Sequence, residues 1–290
     1  MPDLTEAFLE LVRLTSTDLP PDVEASLTHA RDQEVAGSAA QSALDTILEN
    51  VALSRKNSTP ICQDTGTPIF YVRHPRSWST ADLKQQIRAA VAEATKKTYL
   101  RPNAVDTTTG KNSGNNLGSS DFPTIHFEEI EGDELIVDLM LKGGGCENVG
   151  AQYSLPNDRL GAGRDLEGVR RVVLDAVFNA QGKGCAPGVL GVAIGGDRGA
   201  SYYGSKEALF RKLDDENPDP ELAELEGQLI QDANKLRIGP MGFGGKTTVL
   251  GVKAKSLYRL PASYFVSISY MCWADRRRRL TVQGEETTYE

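Results

Sequence analysis

Residues 189–196, VLGVAIGG, are an uninterrupted apolar run of strand length that ends in paired glycines, and this run constrains the fold more than any other feature. A strand apolar on both faces must be covered on both, as in a sheet packed against helices. The preceding stretch supplies a helical stripe, Leu166, Val169, Val172, Val173 and Ala176, and then the turn GKGCAPG. Two more stripes predict amphipathic helices: Leu4, Phe8 and Leu11, and Leu83, Ile87, Val91 and Ala94 behind an N-cap at Thr80. Asn217-Pro218-Asp219-Pro220 opens a fourth, with leucines at 222, 225, 229 and 236. Strands are predicted at IFYV, at the alternation Leu135, Val137, Leu139, Leu141 that runs into Gly143, Gly144 and Gly145, and at VLGVKAK and YFVSISYM, the last strand, closed by Cys272. With no internal repeat and no linker, the expectation is one mixed α/β (α+β) domain over residues 1–290, with a mainly helical lead-in at 1–55.

Composition excludes several function classes. Thirty-two Lys plus Arg against forty Asp plus Glu leave a net charge of −8 on 290 residues, a poor electrostatic match for nucleic acid or anionic lipid. The N-terminal MPDLTEAFLELVRLTS carries Asp3, Glu6 and Glu10 where a signal peptide needs an unbroken apolar stretch. No apolar run approaches the ~18–20 residues of a membrane span, so a cytoplasmic protein is expected. Four cysteines, at 62, 146, 185 and 272, are too few and too scattered to staple the chain.

Three of those cysteines sit singly in turns or at a strand end, in Pro60-Ile61-Cys62, Gly184-Cys185-Ala186-Pro187 and Met271-Cys272-Trp273. None forms a local CxxC, so from the residues alone they are buried core, nucleophiles, or metal ligands that converge only through the fold. Asp64, two residues after Cys62, is either a turn-forming Asp or a general acid or base beside such a ligand. Residues 101–120 are nearly devoid of apolar side chains and predict a long loop, of the kind that is either functional or disordered. GPMGFGGKTT misses the phosphate-binding spacing because Pro240 stands where the first glycine belongs, and Gly195-Gly196 does not complete a dinucleotide fingerprint. The run Arg276–Arg279 reads as a solvated face or a subunit contact. Histidines 29, 74 and 126 show no ligand or triad spacing, and His126 reads as structural.

Seven segments in order, CQDTG at 62–66, LRPNAVD at 100–106, TGKNSG at 109–114, KGGGCEN at 142–148, CAPGVLGVAIGG at 185–196, IGPMGFGGKTT at 238–248 and CWADRR at 272–277, resemble the iron–sulfur dependent class I fumarate hydratases and L-tartrate dehydratases, in their alpha subunit or N-terminal half. The resemblance covers the chain from about residue 50 to its end and makes residues 56–290 the cluster- and substrate-binding part. It implies a [4Fe-4S] cluster on Cys62, Cys185 and Cys272 with one iron left open, while Cys146 is a neighbour of the site. An open iron suits a Lewis acid, whereas an electron-transfer cluster would normally have all four irons ligated. The resemblance also implies that Asp64 belongs to the proton-transfer machinery, that Gln63 and Arg101 meet a small dicarboxylate, and that Gly144 and Gly145 line the same pocket. Further substrate contacts would come from a beta subunit, in an α2β2 assembly. Fumarate hydration is the first expectation, with L-tartrate dehydration or mesaconate hydration as alternatives and a catalytically silent cluster-bearing subunit as another class. Leu260 departs from the pattern, standing where relatives carry a substrate-contacting histidine, with Arg259 as the neighbouring polar group.

Overall fold

A computed structural model describes residues 2–290. In chain order, α1 (Thr5–Thr17), α2 (Pro21–Gln33) and α3 (Ala39–Asn57) lead to β1 (Thr67–Pro75), α4 (Thr80–Lys96), β2 (Thr124–Ile130) and β3 (Leu135–Lys142). Then follow α5 (Gly144–Asn148), β4 (Ala151–Ser154), α6 (Leu166–Ala180), β5 (Gly188–Ile194), α7 (Arg198–Ala208), α8 (Pro220–Lys235) and β6 (Val249–Ser256). Strands β7 (Phe265–Met271), β8 (Arg277–Gln283) and β9 (Glu286–Tyr289) end the chain. The fold is mixed α/β, and no helix among the described residues is long and apolar enough to cross a membrane. The chain divides into two compact units: one holds the chain up to Pro20 with Glu49–Gly144 and Ala274–Glu290, the other Pro21–Leu48 with Gly145–Trp273.

The first unit is built on a five-stranded sheet of order β2-β1-β3-β8-β9, parallel only between β1 and β2. One face is apolar because strand residues alternate: Phe70 and Val72 of β1, Leu135, Val137 and Leu139 of β3, and Leu280 and Val282 of β8 are buried together. Helices α1 and α4 cover this face with Phe8, Leu11 and Val12, and with Leu83, Ile87 and Val91, the stripes that the sequence displays. Each such side chain contributes roughly 1.5–3 kcal/mol on burial. The N-cap of α4 is Ser79, whose extended backbone lets its hydroxyl accept from the Asp82 N–H at 3.2 Å; Thr80 is already inside the first turn.

The Arg276–Arg279 run is neither a solvated face nor the tail after a last strand. It enters β8, where Arg277 pairs with Met140 and Arg279 with Asp138 of β3, and Arg276 and Arg277 are buried. Arg277 Nε lies 3.4 Å from the buried Asp275 carboxylate, and Asp138 accepts from the more exposed Arg279 Nε at 2.7 Å and Arg73 Nη2 at 3.0 Å. His126, on β2, stacks against Tyr71 at 4.8 Å between ring centres, a structural role.

In the second unit a four-stranded sheet of order β4-β7-β5-β6 carries α7 against β5 and β7, and α8 against β6. Every residue of β5 is buried, as its composition demands. Gly191 has no room for a Cβ because the Ser205 carbonyl lies against it, so α7 sits directly on the strand. Buried hydroxyl pairs, Ser201–Ser267 and Ser205–Ser269, each 2.8 Å, join that helix to β7.

Candidate active site

In the first unit, the segment between α3 and β1 is shaped around Asp64. Its Oδ1 accepts from the Gly66 N–H at 3.1 Å, closing a local turn, and its Oδ2 accepts from the Gly144 N–H at 2.8 Å. Arg276 Nη1 donates to the Asp64 carbonyl at 2.9 Å, so side chain and backbone are both fixed. Glycines make the approach possible. A Cβ on Gly143 would stand 3.0 Å from Asp64 Oδ2, and one on Gly66, whose φ is +80°, would meet the Lys142 backbone at 2.8 Å. The strand β3 therefore delivers the KGGG segment to Asp64 because neither chain carries a side chain at the crossing.

The 101–116 loop is anchored to the same turn. The Thr65 hydroxyl, buried, accepts from the Arg101 N–H at 3.1 Å and from Asn103 Nδ2 at 3.2 Å. Asn116, buried and left-handed at φ 58°, donates to the Arg101 carbonyl at 2.6 Å and accepts from the Asn103 and Ala104 amides. A single bridge, Val105 to Asn112, is the only strand-like pairing inside the loop among the described residues. This scaffolding leaves the Arg101 and Gln63 side chains exposed, with Arg101 Nη1 3.4 Å from the Gln63 carbonyl. Thr65 and Asn116 support this turn without having been singled out by the sequence, and Arg276, which in sequence belongs to the basic run, is a third support. Gly144, at the start of α5, has its amide committed to Asp64. Gly145, next in α5, has as nearest neighbour to a would-be Cβ the Lys183 carbonyl, at 3.7 Å.

In the second unit, strand pairing brings two cysteines together. Strands β5 and β7 are antiparallel with Val189 opposite Met271, so the turn before β5 and the residue after β7 share one end of the sheet. Cys185 occupies the turn and Cys272 follows the strand, and the Trp273 N–H donates to the Cys185 carbonyl at 3.1 Å. Cys146, buried in α5, belongs to the same neighbourhood: burial, with the Cys272, Cys146 and Cys185 sulfurs facing it, pushes the Tyr270 phenol above its ordinary pKa. Cys185 has left-handed φ of 56°, a conformation that a non-glycine residue holds only when its surroundings impose it. None of the four cysteines is in a disulfide, and Cys62, Cys185 and Cys272 are half-buried. Cys62 lies in the first unit, and among the described residues no group of three or more His, Cys, Asp or Glu is assembled as a metal centre.

Leu260 is exposed on the β6–β7 connection. Arg259 is spent on that same connection: it stacks over Tyr264 at 4.3 Å and donates to the Leu260 and Pro261 carbonyls, both at 3.1 Å.

Comparison with known proteins accounts for these motifs. Residues 5–281 match the model of the family Fumarate hydratase (Fumerase). The chain belongs to the Fumerase family. It is 50% identical over 280 residues to a Geobacillus stearothermophilus protein named for class I fumarate hydratase, covering 96% of this chain and 54% of that protein. It is 35% identical to a Methanocaldococcus jannaschii protein named for L(+)-tartrate dehydratase subunit alpha, and 32% identical to the Escherichia coli K12 L(+)-tartrate dehydratase subunit alpha. The chain thus spans about half the length of its Geobacillus relative, but 95% and 92% of the two alpha subunits. Fumerase membership covers both units, and the Asp64 turn and the Cys185 turn both fall within the matched residues.

Proposed function

We propose that this chain is the alpha portion of a hydro-lyase that reversibly hydrates fumarate to (S)-malate, with a [4Fe-4S] cluster on Cys62, Cys185 and Cys272. The observation that carries the reading is the Fumerase match over nearly the whole chain, joined to an Asp64 carboxylate gripped by the Gly66 and Gly144 amides within the family's own motifs. The donor chemistry fits the cofactor: half-buried cysteines outside any disulfide are soft ligands of the type that iron–sulfur clusters require, and two of them flank one end of a sheet. When bound, the cluster supplies an iron with an open position that acts as a Lewis acid on the substrate's oxygen atoms.

The chain's own residues do the rest. Asp64 gives up and takes back a proton at a carboxylate oxygen; each oxygen spends one lone pair on a backbone N–H and keeps another for the substrate. Arg101 presents a planar fork to one carboxylate of the dicarboxylate, and the Gln63 amide offers a second polar contact. Gly144, its amide already engaged, and Gly145 contribute close backbone approach. The remaining substrate contacts come from a beta subunit, in an α2β2 complex, consistent with relatives named as alpha subunits. Nucleic acid and membrane have no part in this reading, and a cytoplasmic location suits it.

L-tartrate dehydration is a second reading, favoured by the near-equal length of this chain and the tartrate dehydratase alpha subunits. Mesaconate stays within reach, because one methyl changes pocket affinity by only ~1–3 kcal/mol. The test is anaerobic coexpression with the beta subunit, then loss of fumarate absorbance and formation of oxaloacetate from L-tartrate. Fumarate hydration as the faster reaction is expected. Tartrate as the only substrate selects the second reading, and a cluster-loaded complex inert toward every dicarboxylate would leave a non-catalytic cluster subunit.

A further inference from the structure

We propose that Glu34 is a positioning residue for Cys185, acting through the glycine-rich loop at 238–248. The inference rests on the reading of Cys185 as a cluster ligand, and every link lies within the second unit. Glu34 follows α2 and is only 6% exposed. Its Oε1 accepts from the Lys246 N–H at 2.8 Å and from the Thr247 N–H at 2.9 Å, while Oε2 accepts from Lys246 at 2.9 Å. The GGKTT segment, which in sequence invites comparison with a phosphate loop, therefore uses its amides on the chain's own carboxylate. Gly245, with φ of +121°, is obligatory there: a Cβ would lie 2.7 Å from Ala40 Cβ and 2.9 Å from Glu34 Oε2.

The loop carries this anchor to the cysteine. It is closed on itself by Gly244 N–H to the Ile238 carbonyl, 2.9 Å, with the Gly239 and Gly244 backbones in direct contact. Its tip then holds the cysteine turn: the Met241 N–H donates to the Ala186 carbonyl at 2.8 Å, and a Cβ on Gly182 would strike the Met241 carbonyl at 2.8 Å. Cys185 is fixed from the other side by its N–H to the Gly182 carbonyl and by Trp273, both 3.1 Å. Non-glycine residues with positive φ crowd into these two segments, at Gln181, Cys185, Arg237 and Met241, with values from 48° to 56°. Such backbone persists only where neighbouring structure over-determines it. Glu34 is the buried charge that fixes one end of that arrangement, 151 residues before the cysteine it serves in the chain numbering.

The test uses the full reduced chain, cluster-free, as parent, Glu34→Gln and Glu34→Asp. Gln keeps one acceptor but turns an NH2 toward amide donors; Asp keeps the charge and shortens the reach. Alkylation of each cysteine is timed by mass spectrometry, and iron per chain is measured after reconstitution. In Glu34→Gln we expect Cys185 to react about tenfold faster, as local opening is eased by losing charge-assisted bonds, with Cys62 unchanged and iron reduced. Parent-like Cys185 reactivity in both variants overturns the proposal, as does an equal rise at every cysteine, which marks general loosening. If Glu34→Gln does not fold, Glu34→Asp decides by the same Cys185-to-Cys62 ratio. A parent that takes up no iron, with Cys185 still unmasked selectively in the variant, sinks the cluster reading and leaves the positioning intact.

Discussion

Asp64→Asn is expected to lower turnover of the assembled enzyme by about 10²–10⁴-fold, the contribution of a positioned acid–base group, while its iron content stays at the parent level. The loss has two physical parts. An amide neither gives nor takes a proton near neutral pH, so the transfer step loses its carrier. The substitution also disturbs the turn, because Asp64 Oδ1 and Oδ2 each accept a backbone N–H, from Gly66 and Gly144. Asn has one accepting oxygen, so its NH2 must face one of those two donors; the Gly144 amide is exposed and the Gly66 amide half-buried, so the cost stays below the ~1–3 kcal/mol of a fully buried orphan. Steady-state kinetics on protein matched for iron, with thermal unfolding alongside, separates the parts: the melting temperature falls modestly and kcat collapses. Parent-like kcat in an iron-matched variant would remove Asp64 from the proton path.

Arg276→Met should produce the second large effect, and by a different route. Arg276 is 1% exposed and its Nη1 holds the Asp64 carbonyl at 2.9 Å, while its own carbonyl accepts from the Leu141 N–H at 3.0 Å. Met fills a similar length without a donor. Loss of the donor leaves the Asp64 carbonyl without its partner, at a cost of about 1–3 kcal/mol, partly offset because the buried guanidinium is itself costly to desolvate, so the fold should survive with a lowered midpoint. The Asp64 turn, however, loses the contact that fixes its backbone, and displacement of a reacting group by about 1 Å costs on the order of 10²-fold in rate. Turnover should therefore fall about 10²-fold with only a modest fall in unfolding midpoint, and Arg276→Lys, which keeps one donor, should recover part of both. A variant with parent turnover would show that the Asp64 turn holds itself.

How much of this was legible in the sequence depended on the kind of signal. The stripes of α1, α4 and α6, the apolar β5 and the alternation of β3 were readable because burial imposes a period. Helix α7 was not, because its buried residues are Ser201, Gly204, Ser205 and Ala208, small side chains that pack closely without marking an apolar face. Strand β8 was hidden by its arginines, which read as solvated until Asp138 is seen opposite them. The two-unit division leaves no trace in composition, since each unit is assembled from separate stretches and two of the crossings fall inside KGGGCEN and CWADRR.

At the site, the motif residues were identifiable and their supports were not. Asp64 meets Gly143 and Gly144, while Gly145, expected with Gly144, lies nearest the Lys183 carbonyl, and Cys185 and Cys272 share a sheet end through the β5–β7 pairing. Thr65 and Glu34 act on backbone amides far away in the chain and Asn116 on amides across its own loop, contacts with no periodicity and no characteristic spacing. Arg259, the polar neighbour of Leu260, is occupied by its own turn.

The most direct test of the central claim is iron and acid-labile sulfide per chain after anaerobic reconstitution, for the parent and for four single Cys→Ser variants. The account predicts about four of each per parent chain, the complement of one [4Fe-4S] cluster, lost in Cys62→Ser, Cys185→Ser and Cys272→Ser and kept in Cys146→Ser. A parent chain without iron, or a cluster that survives loss of any of the three cysteines while Cys146→Ser abolishes it, would contradict the account at its foundation.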